Sequence, residues 1–125
     1  MAEEDTRSIQ AGNIRFFIQH RKTSDDHGVS IQVYGKTPER EVELLRFDCF
    51  ERVPHYHYGP DGKNERLDFD SLTQGDLLQW SLGKLYEELP GMIVRAGYQE
   101  IASQVDPGEI SKAMPEVEAA AKALA

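Results

Sequence analysis

Apolar and polar side chains alternate early in the chain: Ile14, Phe16 and Ile18 fall on one side of an extended segment, Arg15, Phe17 and Gln19 on the other. This period of two predicts a half-buried strand over residues 13–22. A polar TSDDHG turn (23–28) leads to Val29, Ile31 and Val33, alternating with Ser30, Gln32 and Tyr34, so the two runs read as a hairpin. After a second turn at 35–40, EVELLRFDCF (41–50) continues as a third strand whose pattern changes phase: Val42 and Leu44 share one face, Leu45, Phe47 and Cys49 the other. Either both faces are partly covered or a β-bulge sits near Leu44 and Leu45. His55 to Tyr58 is the fourth strand, and Leu67 and Phe69, alternating with Arg66, Asp68 and Asp70, give a fifth. Residues 1–12 read as a polar N-terminal tail.

From Thr73 the period becomes helical. Leu78, Leu82, Leu85 and Leu89 form one stripe, and Thr73 with Asp76 resembles a capping box. Pro90 predicts a break or kink near Leu89. Val94, Tyr98, Ile101 and Val105 repeat the spacing as a second helix. The third starts at Asp106 as N-cap with Pro107 at the first helical position, and its stripe is Ile110, Met114, Val117, Ala121 and Leu124, with a second kink expected at Pro115. Strands followed by helices, without βαβ alternation, define an α+β class. The expectation is an antiparallel four- to five-stranded meander over residues 13–70, followed by two to three helices packed on one sheet face, in a single domain spanning 13–125. The last helix is expected to dock on that domain rather than on a partner.

A chain of 125 residues that is 39% hydrophobic supports one core. Its formal charge of −8, from 22 acidic and 14 basic residues, disfavours nucleic acid as a partner. Cys49 is the single cysteine, which excludes an internal disulfide and a cysteine-based zinc site and suits a reducing compartment. MAEEDTRSIQ is acidic where a signal peptide is basic and then apolar, and no run reaches membrane-spanning length, so a cytoplasmic location is expected and no membrane partner.

The chemistry concentrates in PHYHYGPDG, residues 54–62. On a strand His55 and His57 project from the same face, as two metal ligands or an acid/base pair must. If the third and fourth strands form a hairpin through residues 51–54, Asp48 approaches His55 or His57 across the ladder, with Arg46 one step further and Asp68 joining from the fifth strand. Two imidazoles and a carboxylate suit zinc or non-haem iron. The alternative is structural: the histidines line a solvated sheet face with Arg46 and Asp48, while Tyr56 and Tyr58 pack inward. Cys49 lies in an apolar alternation and reads as core, His20 as a boundary residue and His27 as a turn residue. No phosphate-binding glycine loop or serine elbow is present.

His-x-His is part of the cupin metal motif, but here the resemblance covers only those three residues. The acidic ligand that follows in cupins is missing, and the helical second half is unlike that family. The longer run RFDCFERVPHYHYGPDG resembles a segment of small bacterial proteins of uncharacterised function, over roughly residues 44–70. This implies a bacterial cytosolic origin and brings no activity with it. Two functions follow. Missing catalytic motifs favour a non-catalytic binding or accessory protein, a homo-oligomer or the partner of another protein, with no cofactor. The alternative is a metal-dependent or acid/base enzyme using His55, His57 and Asp48, with zinc or iron, and Arg46 holding an anionic substrate.

Overall fold

The computed structural model describes residues 6–125 and shows a six-stranded antiparallel sheet in sequence order, followed by four helices. The strands are β1 (Thr6–Ala11), β2 (Ile14–Lys22), β3 (His27–Lys36), β4 (Glu41–Phe50), β5 (His55–Tyr58) and β6 (Glu65–Asp68). The helices are α1 (Ser71–Gln74), α2 (Leu77–Arg95), α3 (Gln99–Ser103) and α4 (Pro107–Leu124). The α+β meander with helices on one face is therefore as the pattern predicts, with one strand more than expected.

That extra strand corrects the expected tail. Residues 1–5 lie outside the described residues, but Thr6–Ala11 pairs with β2, placing Ile9 opposite Phe16 and Ala11 opposite Ile14. Gly12, at φ 64°, and Asn13 make the two-residue turn that brings the strand back. Only Ile9 and Ala11 are buried in this strand, so its apolar signal is two residues deep and its polar neighbours hide it.

The register explains the phase change in β4. Val33 pairs with Leu45 but Tyr34 pairs with Glu43, so Leu44 is the extra residue of a bulge. Both Leu44 and Leu45 thereby reach the core, where each is buried. Phe16, Ile18, Ile31, Val33, Phe47 and Tyr58 turn to the same side and meet the helices there.

Over that face α4 covers β1 to β3 and α2 covers β4 and β5. Leu85, Leu89 and Ile93 of α2 are almost wholly buried, each contributing about 1.5–3 kcal/mol of hydrophobic transfer. The cap of α2 is Asp76, which accepts from Gln79 N at 3.0 Å, whereas Thr73 belongs to α1, whose cap is Asp70. The expected Thr73–Asp76 box is thus replaced by two aspartate caps around Gly75. The kink ahead of Pro90 falls at Glu88 (φ −131°, ψ 15°). The second helical stripe is divided differently from its reading: Val94 ends α2 with Arg95, and only residues 99–103 form α3. Asp106 caps α4 through Gly108 N and Glu109 N as expected, and that helix spans Pro115.

Candidate metal centre

Because the helices cover the tyrosine face, the histidines stand on the open face of the sheet. This face is polar and yet poorly hydrated: Ser30, Gln32, Glu43, Asp48 and His55 are all buried on it. Pairing Arg46 with His57 and Asp48 with His55 brings the carboxylate beside both rings.

The β4–β5 connection is held by Asp26, whose carboxylate accepts the backbone N–H groups of Arg52 and Val53 at 3.0 and 2.8 Å and that of His27 at 2.9 Å. So fixed, Val53 offers its carbonyl oxygen to His55 Nδ1 at 2.8 Å. His57 Nδ1 lies 2.9 Å from Asn64 Oδ1, in the turn between β5 and β6, where Asn64 adopts φ 52°. Both acceptors lack a proton, so each Nδ1 carries the hydrogen and donates it, which leaves Nε2 of each ring aimed at Asp48. His55 Nε2 is 3.1 Å and His57 Nε2 3.9 Å from the same oxygen, Asp48 Oδ2. The other oxygen, Oδ1, accepts from Ser30 Oγ at 2.8 Å and from Arg21 Nη1 at 2.9 Å. Asp48 thus has one oxygen occupied and one turned to the histidines.

The electrostatics distinguish the two rings. The hydrogen bond to Asp48 raises the His55 pKa, against the opposing effect of burial. Burial lowers that of His57, outweighing the bond to Asn64, and the charge of His55 adds to the effect. Burial alone would push the Asp48 carboxyl up, but the bonds from His55 and Ser30 and the Arg21 charge bring it below its ordinary value. A neutral His57 therefore presents a lone pair to an ionised carboxylate, two acceptors converging at a separation too long for a hydrogen bond. One ligand atom from each of Asp48, His55 and His57 falls within a mutual 4.8 Å, a spacing that a single cation can bridge.

The remaining sequence candidates lie elsewhere. Arg46 makes a two-bond fork with buried Glu43 at 2.8 and 2.7 Å, so its guanidinium is committed within the sheet. Asp68 stands opposite His55 in register but bonds Arg66 at 3.1 Å and is largely exposed. Cys49 faces the core side, where burial pushes its thiol up to about 12. His20 bonds the Leu124 carbonyl oxygen at 2.9 Å, and His27, at the start of β3, approaches Glu51 at 3.3 Å. Trp80 widens the core against Phe47, Tyr56 and Phe69. Arg21, Ser30 and Asn64 escape the sequence reading. The alternation of β2 and β3 puts Arg21 and Ser30 on the correct face, but which partners they meet depends on register.

The sheet, its one-sided helical cover and the three-residue cluster on its open face define an α+β protein with a candidate ligand site away from the helices. The chain belongs to the DUF7700 family, a domain of unknown function, which matches residues 8–121. No curated protein and no solved structure matches it. Among the described residues no helix is long and apolar enough to cross a membrane.

Proposed function

We propose that this protein binds one divalent transition-metal ion, of the zinc or iron(II) class, through His55 Nε2, His57 Nε2 and Asp48 Oδ2. The observation that carries this reading is the orientation of the two imidazoles. Each donates Nδ1–H to a fixed acceptor, Val53 O or Asn64 Oδ1, so that both Nε2 atoms converge on one carboxylate oxygen. Metal-bound histidines are held in this way by their outer hydrogen bonds. Nitrogen and carboxylate donors favour zinc or iron over calcium or magnesium, and three protein ligands leave positions for solvent or substrate, as in catalytic rather than structural sites. The polar character of the open face favours a ligand site over an apolar interface between copies. A single, partly buried thiol supports a cytoplasmic location.

Untagged protein loaded with zinc, passed through gel filtration and assayed for metal tests the reading. One ion per chain is expected in the wild type, with loss of that ion in His57→Ala and Asp48→Asn variants that retain the native circular dichroism spectrum. Wild-type protein that emerges without metal refutes it.

A further inference from the structure

A metal at Asp48, His55 and His57 leaves the charge of the open face unbalanced. One carboxylate then faces a divalent ion and the Arg21 guanidinium 2.9 Å away, while both imidazoles are neutral. The neighbouring carboxylate, Glu43, is taken by Arg46. Positive charge in so poorly hydrated a place is costly unless an anion accompanies it.

The molecule offers a place for that anion. His55 forms part of the wall of a cleft of about 410 Å³ that Arg52, Arg66, Phe50 and Thr23 also line. At about 30 Å³ for each water-sized group, this admits a ligand of roughly a dozen such groups. Arg21 lies outside that lining, its guanidinium 5.8 Å from the centre of the Phe50 ring. Two carboxylates share the cleft, but Asp26 is occupied by three backbone N–H groups. The Asp25 carboxylate accepts from Thr23 Oγ1 at 3.4 Å, and its backbone carbonyl oxygen accepts from Arg52 Nη1 at 3.1 Å. Among the described residues Arg66 pairs with Asp68, in an exposed pair at 3.0 Å that a better-placed anion can replace. In a chain of net charge −8, two arginines in one cleft beside one ligand set, with Arg21 close by, make a local anion site.

We infer that the metal centre takes a small oxyanion, a carboxylate or phosphate group, which bonds the ion with one oxygen and reaches Arg66 in the cleft with another. The inference rests on the metal reading above. The guanidinium fork of Arg66 matches two oxygens of a carboxylate or of a phosphate with parallel N–H bonds.

Cobalt(II)-loaded protein provides the test, since the visible spectrum of the ion reports a change in its ligands. Oxalate and inorganic phosphate are titrated separately into wild-type and Arg66→Gln protein, and by calorimetry into metal-free protein. Expected are a spectral change on adding oxalate or phosphate, a loss of oxalate affinity of about tenfold or more in Arg66→Gln with its anion-free cobalt spectrum unchanged, and no binding without metal. A cobalt spectrum indifferent to both anions, or oxalate binding equal in Arg66→Gln or in metal-free protein, overturns the anion site and leaves the metal reading standing. Failure to take up cobalt at all overturns both.

Discussion

Arg21 and Asp48 are joined across an intervening strand: Nη1 of Arg21 on β2 lies 2.9 Å from Oδ1 of Asp48 on β4, with β3 between them. Gly28 on β3 pairs with Arg21 and carries no side chain. Nor is a side chain tolerated there, since a Cβ on Gly28 would overlap the backbone carbonyl of Cys49. Asp48 is almost fully buried, so losing Arg21 removes its strongest counter-charge but leaves the Ser30 and His55 bonds. Arg21→Met is expected to lower stability by about 1–2 kcal/mol, discounted because Arg21 is partly exposed. Arg21→Lys should recover only part of this, and urea unfolding of the two variants measures the difference.

Periodicity made the four central strands legible, because Ile14, Phe16 and Ile18, then Val29, Ile31 and Val33, alternate without interruption. It also exposed the Leu44 bulge, where the pattern breaks phase. It could not show β1, which buries only Ile9 and Ala11. Nor could it divide the helices correctly, since Asp70 and Asp76 both cap and the choice depends on how the chain leaves β6. Within the site, Asp48, His55 and His57 are neighbours through a single hairpin and so were readable. Arg21 is 27 residues from Asp48 and arrives through two further strand pairings. Arg46, which the pattern offers as a substrate anchor, forks onto Glu43, which the bulge next to it brings within reach, and that pairing depends on register.

The two histidines should oppose one another in the pH dependence of the metal-free protein. His55 has a folded pKa above 6.5, so its stabilisation is complete below pH 6.5 and is lost as pH rises through the folded value. His57 has a folded pKa below 6.5, so its stabilisation is present above pH 6.5 and is lost as pH falls through the folded value. In chelator-treated protein, His57→Gln should therefore lose stability relative to His55→Gln as pH rises from roughly 5.5 to 8. Urea midpoints across that range give the sign directly, and parallel profiles for the two variants contradict the assignment.

Cys49 should be inert in the native state. Burial, with the charges of Asp76 and Asp48 adding to it, pushes its thiol up to about 12. At pH 8 the reactive thiolate is then on the order of one molecule in ten thousand, against a substantial fraction in an unfolded chain. Iodoacetamide labelling, followed by mass spectrometry, is expected to be roughly a thousandfold slower in buffer than in urea. Comparable rates would place the thiol outside the hydrophobic core against which it packs.

Asn64 performs two tasks that substitution can separate. Its backbone takes φ 52°, a conformation that asparagine and glycine tolerate, and its Oδ1 fixes the His57 ring at 2.9 Å. Asn64→Gly preserves the turn and deletes the acceptor, whereas Asn64→Asp preserves both. Loss of an outer hydrogen bond to a metal-bound histidine typically costs about 10- to 100-fold in metal affinity. Zinc competition against a chromophoric chelator should therefore show that loss in Asn64→Gly at little change in Tm, with Asn64→Asp retaining tight binding. If Asn64→Gly holds zinc as firmly as the wild type, the orientation of His57 is set by its place on β5 and its packing against His55, whose ring lies 5.2 Å away, and not by the turn.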